Sequence, residues 1–234
     1  MAGRLYGIGV GPGDPGLLTL KAASIIKSVP VIIAPKPGGD SERLALSVVR
    51  EHIDFSRQKV ITPLFPMSMK NDVLESAWME AAKAAVDELL AGLDVAFLTI
   101  GDPSLYSTYS YILERIKVIV TDLISETVPG ISSINLAAAK AGIDLALGQE
   151  RLVVMPPGRD MEEVKKAIAD FDTVVLMKVN RNFDGLKNML KEEGLDGKAV
   201  YIRRAGTGRE QVIRGLENVR AEDVDYFSLV IIKK

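Results

Sequence analysis

The sequence contains no cysteine and only one histidine, His52, among its 234 residues. The lack of cysteine excludes disulfides, cysteine zinc sites, iron–sulfur clusters and thiol nucleophiles, and it favours a reducing compartment. A single histidine is too few for a histidine-based metal site. We therefore expect a cytoplasmic protein with no metal site of its own.

The sequence also lacks basic runs and long apolar runs. Lys and Arg total 29 and Asp and Glu total 31, so the net charge is −2 and no basic stripe follows a nucleic-acid backbone. No apolar stretch approaches the ~20 residues that span a bilayer. Glycines at 7, 9, 11 and 13 interrupt any signal-peptide core. We expect neither nucleic acid nor a membrane as a partner.

Short apolar runs alternate with amphipathic stretches, which predicts an α/β fold with mostly parallel strands in two α/β domains, 1–128 and 129–234. The predicted strands are 5–10, 30–34, 59–64, 94–100, 151–155, 173–179, 198–203 and 226–232. The predicted helices begin after Asp14-Pro15, Asp40-Ser41 and Pro129-Gly130, and cover about 71–91, 161–170 and 183–193. The stretch 105–122 is compatible with either helix or strand.

The first motif is the glycine-rich run 7–16, directly after the first predicted strand. Its glycines let the backbone turn sharply and approach a ligand, while Pro12 and Pro15 stiffen the turn. Residues 11–16 match G-x-G-x-x-G, but the prolines and the missing acid after the second strand argue against a dinucleotide site. A simple tight turn and a different nucleoside-bearing ligand stay open, and we favour the nucleoside.

Two further junctions have the same form. Strand 94–100 is apolar from Val95 to Leu98, as a central buried strand is, and it runs into Gly101-Asp102-Pro103-Ser104. Ligands of open α/β sheets gather at such strand ends, although Ser104 could instead cap a helix. The third junction is the run 128–133, Val-Pro-Gly-Ile-Ser-Ser, where hydroxyls and free amides can bind polar groups.

In this order and spacing, the three segments resemble the tetrapyrrole methylase family of S-adenosylmethionine-dependent enzymes, and the likeness covers nearly the whole chain. The segments Tyr106-Ser-Thr, Met177-Lys-Val and Tyr226-Phe-Ser-Leu look most like the branch that methylates C20 of precorrin-2 or cobalt-factor II in cobalamin synthesis. The resemblance implies two α/β domains with the donor in the cleft between them, and a homodimer.

The resemblance also implies which residues touch S-adenosylmethionine. Asp102 could pair with the cationic end of the donor, and Met177 could form a polarizable wall against adenine. The sequence identifies no catalytic base; Asp102 or Tyr106 could assist proton removal, and we assign neither. The expected donor contacts are Pro12, Ile100, Gly101, Asp102, Leu105, Ser132, Ser133, Met177, Ala205 and Gly206.

The carboxylates of a tetrapyrrole call for cationic side chains, because Arg and Lys pair with carboxylates. We favour Lys178 and Arg181 for this role. His52 is expected to be structural, and Trp78 to be core or subunit-interface packing. The other cationic candidates are Lys36, Arg43, Arg203 and Arg204.

Two other functions compete with this one. A methylase of the same fold could act on a modified protein residue or on ribosomal RNA, although the near-neutral charge argues against RNA. A tetrapyrrole or nucleoside sensor without catalysis is the second alternative.

Overall fold

The computed structural model describes residues 1–37, 44–66, 71–157 and 160–234. Their contacts divide into two compact units, Met1–Ser132 and Ser133–Lys234. The sequence predicts the division slightly earlier, between 128 and 129, and the two independent domains stay a prediction. The helix start predicted at Asp40-Ser41 and the candidate Arg43 lie outside the described residues.

The described residues of the first unit form seven strands and four helices. The strands are β1 (Leu5–Gly9), β2 (Val31–Ile33), β3 (Lys36–Pro37), β4 (Lys59–Ile61), β5 (Leu64–Phe65), β6 (Val95–Thr99) and β7 (Ser125–Val128). The helices are α1 (Leu20–Ser28), α2 (Leu44–Val49), α3 (Asn71–Leu90) and α4 (Tyr109–Ile119).

Five of these strands form a parallel sheet in the order β4-β2-β6-β1-β7. Strands β3 and β5 pair separately. Because the five strands of the main sheet are parallel, the carboxyl ends of β1, β6 and β7 lie at one edge of it. The three junctions singled out in the sequence are therefore neighbours.

Helices cover both faces of this sheet. On β2, Ile32 packs with the core formed by α1 and α2, whereas Val31 and Ile33 pack with the core formed by α3 and α4. Successive side chains of a strand point to opposite faces, so a doubly covered strand is apolar at every position. This explains the uninterrupted apolar runs and confirms the four strands predicted in this half.

The first helix begins later than predicted. Asp14 caps a single 3-10 turn, Pro15–Leu17, by accepting from the Gly16 N–H at 2.8 Å. Helix α1 starts at Leu20, and its cap is Thr19. The prediction followed the Asp-Pro start signal, but Gly16 follows at once and the second cap, Thr19, lies five residues after Asp14.

The ambiguous stretch 105–122 contains a helix rather than a strand. Ile112 and Ile116 are fully buried at helical spacing, while Val118 is 80% exposed. Lys117 lies in the last turn of α4. The strand reading of 117–120 was wrong, because the apolar residues there do not share one face.

The second unit has five strands and three helices in its described residues. The helices are α5 (Ser133–Ala141), α6 (Met161–Asp170) and α7 (Phe183–Glu192). The strands are β8 (Leu152–Met155), β9 (Thr173–Met177), β10 (Ala199–Arg203), β11 (Gln211–Arg214) and β12 (Ser228–Lys233). The predicted helices and strands of this half are confirmed within a few residues, whereas β11 was not predicted. None of the helices in the described parts of the chain is both long and apolar enough to cross a membrane.

The second sheet is mixed, in the order β11-β10-β12-β9-β8. Only β8 and β9 pair in parallel; β12 runs antiparallel to both of its neighbours, and β11 runs antiparallel to β10. The prediction of mostly parallel strands is wrong for this unit. An apolar run indicates a buried strand but not its direction.

Candidate active site

The loops after β1 and β6 are joined through two glycines. The Gly101 N–H donates to the Gly11 carbonyl at 2.8 Å, and the Gly11 N–H donates back to the Gly101 carbonyl at 3.3 Å. Gly11 has φ +80° and Gly101 has φ +73°, a region that side chains other than hydrogen disfavour. Glycine is therefore strongly favoured at both positions.

The third loop approaches the same backbone closely. A Cβ on Gly130 would lie 2.3 Å from the Gly101 carbonyl oxygen and 2.7 Å from the Gly9 carbonyl oxygen. A Cβ on Gly9 would lie 2.6 Å from the Gly130 nitrogen. Glycines thus permit main-chain contact among the ends of all three strands.

Gly101 combines two further properties. It is buried. Even so, among the described residues, no heavy atom outside its chain neighbours lies within 4 Å of the point that a Cβ would occupy. The edge of the sheet therefore presents bare main chain next to unfilled space.

Asp102 links two of the loops. Its Oδ2 accepts from the Gly130 N–H at 3.0 Å, while its Oδ1 accepts from the Ser104 N–H at 2.8 Å and from the Ser104 hydroxyl. Burial opposes the charged form, but the hydrogen bonds from Ser104 and Gly130 outweigh it, so the pKa of Asp102 lies below its usual value. The carboxylate is held ionised at the strand edge.

Ser104 is not a helix cap, which corrects that interpretation. Helix α4 begins at Tyr109, whose N–H donates to the Ser107 hydroxyl at 3.1 Å. The Ser107 hydroxyl also lies 2.9 Å from that of Thr99. Tyr106, which lies between Ser104 and Ser107 in the sequence, has φ +52°, which is strained for a residue with a side chain.

The other predicted donor contacts before residue 134 lie close to these loops in the sequence. Pro12 is buried beside Gly11. Ile100 is partly buried and packs against the core formed by α1 and α2, and the Leu105 N–H donates to the Asp102 carbonyl at 3.3 Å. Ser132, the last residue of the first unit, and Ser133, the first residue of the second unit and of α5, are both partly buried.

In the second unit, three strand ends meet at one edge of the sheet. The chain leaves β9 at Met177 and leaves β10 at Arg203, and β12 starts between them. The Lys178 N–H donates to the Ser228 carbonyl at 3.1 Å, and the Arg204 N–H donates to the Phe227 carbonyl at 2.7 Å. This edge brings together four predicted residues, Met177, Lys178, Ala205 and Gly206.

Lys178 has φ +61° and is partly buried. Burial, with the nearby charge of Arg181, lowers the pKa of the Lys178 ammonium. Arg181 itself is exposed at the end of the 3-10 turn Val179–Arg181. The two cations are thus held near each other, an arrangement that favours an anionic ligand.

Two other cationic candidates are engaged by acids within the unit. Arg203 pairs with Asp223 at 3.3 Å, and Arg204 pairs with Asp225 at 2.7 Å. Sequence reasoning missed both aspartates, because nothing in the sequence 220–227 distinguishes them from surface acids. It also missed Glu210, which accepts from the Gly206 N–H at 2.7 Å.

Three remaining side chains have structural surroundings. Lys36 lies on the short strand β3, and partly buried His52 ends a 3-10 turn. Trp78 stacks on Tyr111 with ring centroids 4.5 Å apart, and the Arg115 guanidinium lies 5.1 Å from the Trp78 ring. The stacking is packing between α3 and α4, and a subunit interface there stays a prediction.

Residues 4–218 match the family described as Tetrapyrrole (Corrin/Porphyrin) Methylases. The chain belongs to the tetrapyrrole methylases. Its membership confirms the resemblance drawn from the three glycine-containing junctions.

Two relatives of this methylase match over nearly their whole length. The chain is 36% identical to the cobalt-precorrin-2 C(20)-methyltransferase of Salmonella typhimurium, with 100% of this chain and 98% of that enzyme covered. It is 35% identical to the probable cobalt-precorrin-2 C(20)-methyltransferase of Methanocaldococcus jannaschii, with 99% and 96% covered.

A solved structure has the same fold. Uroporphyrin-III C-methyl transferase from Thermus thermophilus, complexed with S-adenyl homocysteine, superimposes with a TM-score of 0.68 at 22% identity, covering 99% of this chain and 98% of that one. The α/β fold with two five-stranded sheets is thereby confirmed as that of a tetrapyrrole methyltransferase.

Proposed function

We propose that this methylase transfers a methyl group from S-adenosylmethionine to C20 of precorrin-2 or its cobalt form in cobalamin biosynthesis. The full-length similarity to two enzymes named for C20 methylation carries the proposal. Both names specify the cobalt form, so we propose the cobalt-containing macrocycle as the natural acceptor.

The first unit would contact the donor where the loops after β1, β6 and β7 meet, at Gly11, Gly101 and Gly130. The unfilled space beside Gly101 supports this, because bare main chain lets a nucleoside approach closely. The Thermus relative holds S-adenyl homocysteine, the product that the donor leaves. S-adenosylmethionine supplies an electrophilic methyl group on a sulfonium. The proposed contacts in the first unit are Pro12, Ile100, Gly101, Asp102, Leu105 and Ser132; those proposed in the second unit, each taken by itself, are Ser133, Met177, Ala205 and Gly206.

Asp102 would contribute charge and rigidity. Its lowered pKa keeps it anionic at neutral pH, and an anion favours the positively charged donor over its neutral product. Its bonds to Ser104 and Gly130 hold two loops in place before the donor arrives. Such preorganisation lowers the free-energy cost of binding.

Lys178 and Arg181 would bind the acetate and propionate carboxylates of the macrocycle. An ammonium whose pKa burial lowers gains from an anionic partner, because pairing restores the stability of its charged form. The reduced macrocycle is already nucleophilic at its meso carbon, so the residues of the chain need mainly to align the two reactants. Alignment alone can contribute ~7 to 11 kcal/mol.

We further propose that the protein is a homodimer located in the cytoplasm. The family resemblance supports the dimer, and the absence of cysteine agrees with a reducing compartment. Light scattering coupled to size exclusion would report twice the 25.4 kDa chain mass for the dimer, and the chain mass itself would refute it.

The test is incubation with methyl-labelled S-adenosylmethionine and, in parallel, precorrin-2, cobalt-precorrin-2, total protein and ribosomal RNA. Label in the macrocycles supports the proposal, and a higher kcat/KM for the cobalt form supports the natural acceptor. Label only in protein or RNA would instead support a methylase with another acceptor. Binding of donor and macrocycle without transfer would indicate a sensor.

A further inference from the structure

A group of polar contacts around Asp225 lies where β10 ends and β12 begins. Asp225 Oδ2 accepts from Arg204 Nε at 2.7 Å, and its Oδ1 accepts from the Phe227 N–H at 2.8 Å. The Asp225 side chain is 17% exposed and that of Arg204 25%. Both ions are therefore largely shielded from water, so losing one partner leaves the other poorly solvated.

The backbone of Arg204 is held in an unfavourable conformation. Its φ of +48° is left-handed, which residues with a Cβ disfavour and adopt only where their surroundings require it. Its N–H donates to the Phe227 carbonyl at 2.7 Å, and its carbonyl accepts from the Thr207 hydroxyl at 2.8 Å. The guanidinium lies 5.6 Å from the Phe227 ring centroid.

Arg204 immediately precedes the two residues proposed to contact the donor. Its left-handed turn decides the direction in which the Ala205–Gly206 main chain leaves β10. The far side of this turn is held separately, since the Gly206 N–H donates to Glu210 at 2.7 Å and Glu210 pairs with Lys140 at 3.1 Å. The near side depends on Arg204 and its anchor.

We infer that Asp225 is a positioning residue for the methyl donor. It holds Arg204 in the left-handed conformation and so sets the Ala205–Gly206 main chain, while its charge satisfies a guanidinium that would otherwise compete for substrate carboxylates. The inference rests on the proposed function. Asp225 touches no reacting atom.

The experiment measures S-adenosylhomocysteine affinity by calorimetry together with thermal unfolding. Asp225→Asn and Arg204→Ala each lower the affinity about tenfold, equivalent to ~1.4 kcal/mol, because the left-handed backbone loses its anchor. Arg204→Gly recovers most of what Arg204→Ala loses, since glycine adopts a positive φ without strain. Adding Asp225→Asn to Arg204→Gly then lowers the affinity no further.

The matched control is Asp223→Asn. Asp223 lies two residues away on the same segment, is more deeply buried, and pairs with Arg203 and Arg220 instead. We expect this variant to unfold at a lower temperature and to bind S-adenosylhomocysteine within about twofold of wild type.

The outcomes separate the possibilities. Equal losses in Asp223→Asn and Asp225→Asn, or an Arg204→Gly variant that binds as weakly as Arg204→Ala, would overturn the inference. If wild type binds S-adenosylhomocysteine and Asp225→Asn binds it with the same affinity, the inference is overturned and the proposed function is not. A wild-type protein that binds no S-adenosylhomocysteine overturns the proposed function and the inference with it.

Discussion

The substitution Gly101→Ala distinguishes the stability cost of backbone strain from the loss of donor affinity. Gly101 has φ +73°, and among the described residues no atom beyond its chain neighbours lies within 4 Å of the position of a Cβ. Gly101→Ala therefore creates no clash within the described protein. Its cost to folding is the left-handed strain alone, ~1–2 kcal/mol, which lowers the unfolding temperature by roughly 2–8 °C.

Donor binding should suffer more, because the new methyl group occupies space that we assign to the donor. We expect S-adenosylhomocysteine to bind at least about tenfold more weakly, a loss of ~1.4 kcal/mol or more. Calorimetry at a temperature where the variant is fully folded, as circular dichroism reports, measures this loss without the acceptor.

Gly142 supplies the matched control. It has φ +62° beyond the end of α5, and among the described residues its Cβ position is likewise free of neighbours within 4 Å. Gly142→Ala should therefore lose similar stability and keep wild-type affinity. Equal affinity in both variants would refute the assignment of the donor to the Gly101 edge.

Three further predictions concern the same two edges. Gly130→Ala should lower the free energy of unfolding by about 3 kcal/mol, because its Cβ would lie 2.3 Å from the Gly101 carbonyl oxygen. Denaturant titration measures this loss. The control is Gly197→Ala, whose Cβ meets no described atom within 4 Å and which should stay within ~0.5 kcal/mol of wild type. Because the pKa of Asp102 is lowered in the folded protein, the ionised carboxylate stabilises the fold at pH values above its ordinary pKa of 3.8, and this stabilisation is lost as the pH falls through the lower folded pKa. The difference in free energy of unfolding between wild type and Asp102→Asn should therefore shrink between pH 7 and pH 3. A difference that does not depend on pH would contradict this. Lys178→Met should raise KM for the macrocycle about tenfold, as expected for one lost charge-assisted bond, with little change in kcat or in thermal stability; steady-state kinetics with an unchanged KM would rule out the carboxylate contact.

The central strands of the first unit, β1, β2 and β6, were predictable because they are buried on both faces. The buried positions of β6, Val95 to Leu98, are all apolar, and the glycine and polar residues that follow the strand then mark the edge where ligands bind. The second sheet shows where this reasoning stops. Burial requires the apolar run of β12 whichever way it pairs, so its antiparallel direction left no trace in composition.

Edge strand β11 was missed for a related reason. Its burial alternates between half-buried and exposed, and only Val212 and Ile213 in it are apolar. Two apolar residues do not make a strand signal. Its register with β10 depends on the turn at 204–210, which the sequence marked as a ligand contact rather than as a hairpin.

The linking side chains of the candidate site were not predictable from local patterns. Asp102 was expected to face a ligand, and the structure adds its bond to the Gly130 N–H, 28 residues away. Arg203 and Arg204 were candidates for substrate carboxylates, yet each pairs with an aspartate about 20 residues further along the chain. Such pairs depend on tertiary contacts that spacing along the chain does not encode.

The position of the transferred carbon tests the central claim most directly. After incubation with 13C-methyl-labelled S-adenosylmethionine and cobalt-precorrin-2, NMR of the isolated macrocycle should show one enriched methyl group, bonded to C20. Enrichment at another ring carbon, or an unlabelled macrocycle in the presence of bound donor, would contradict it.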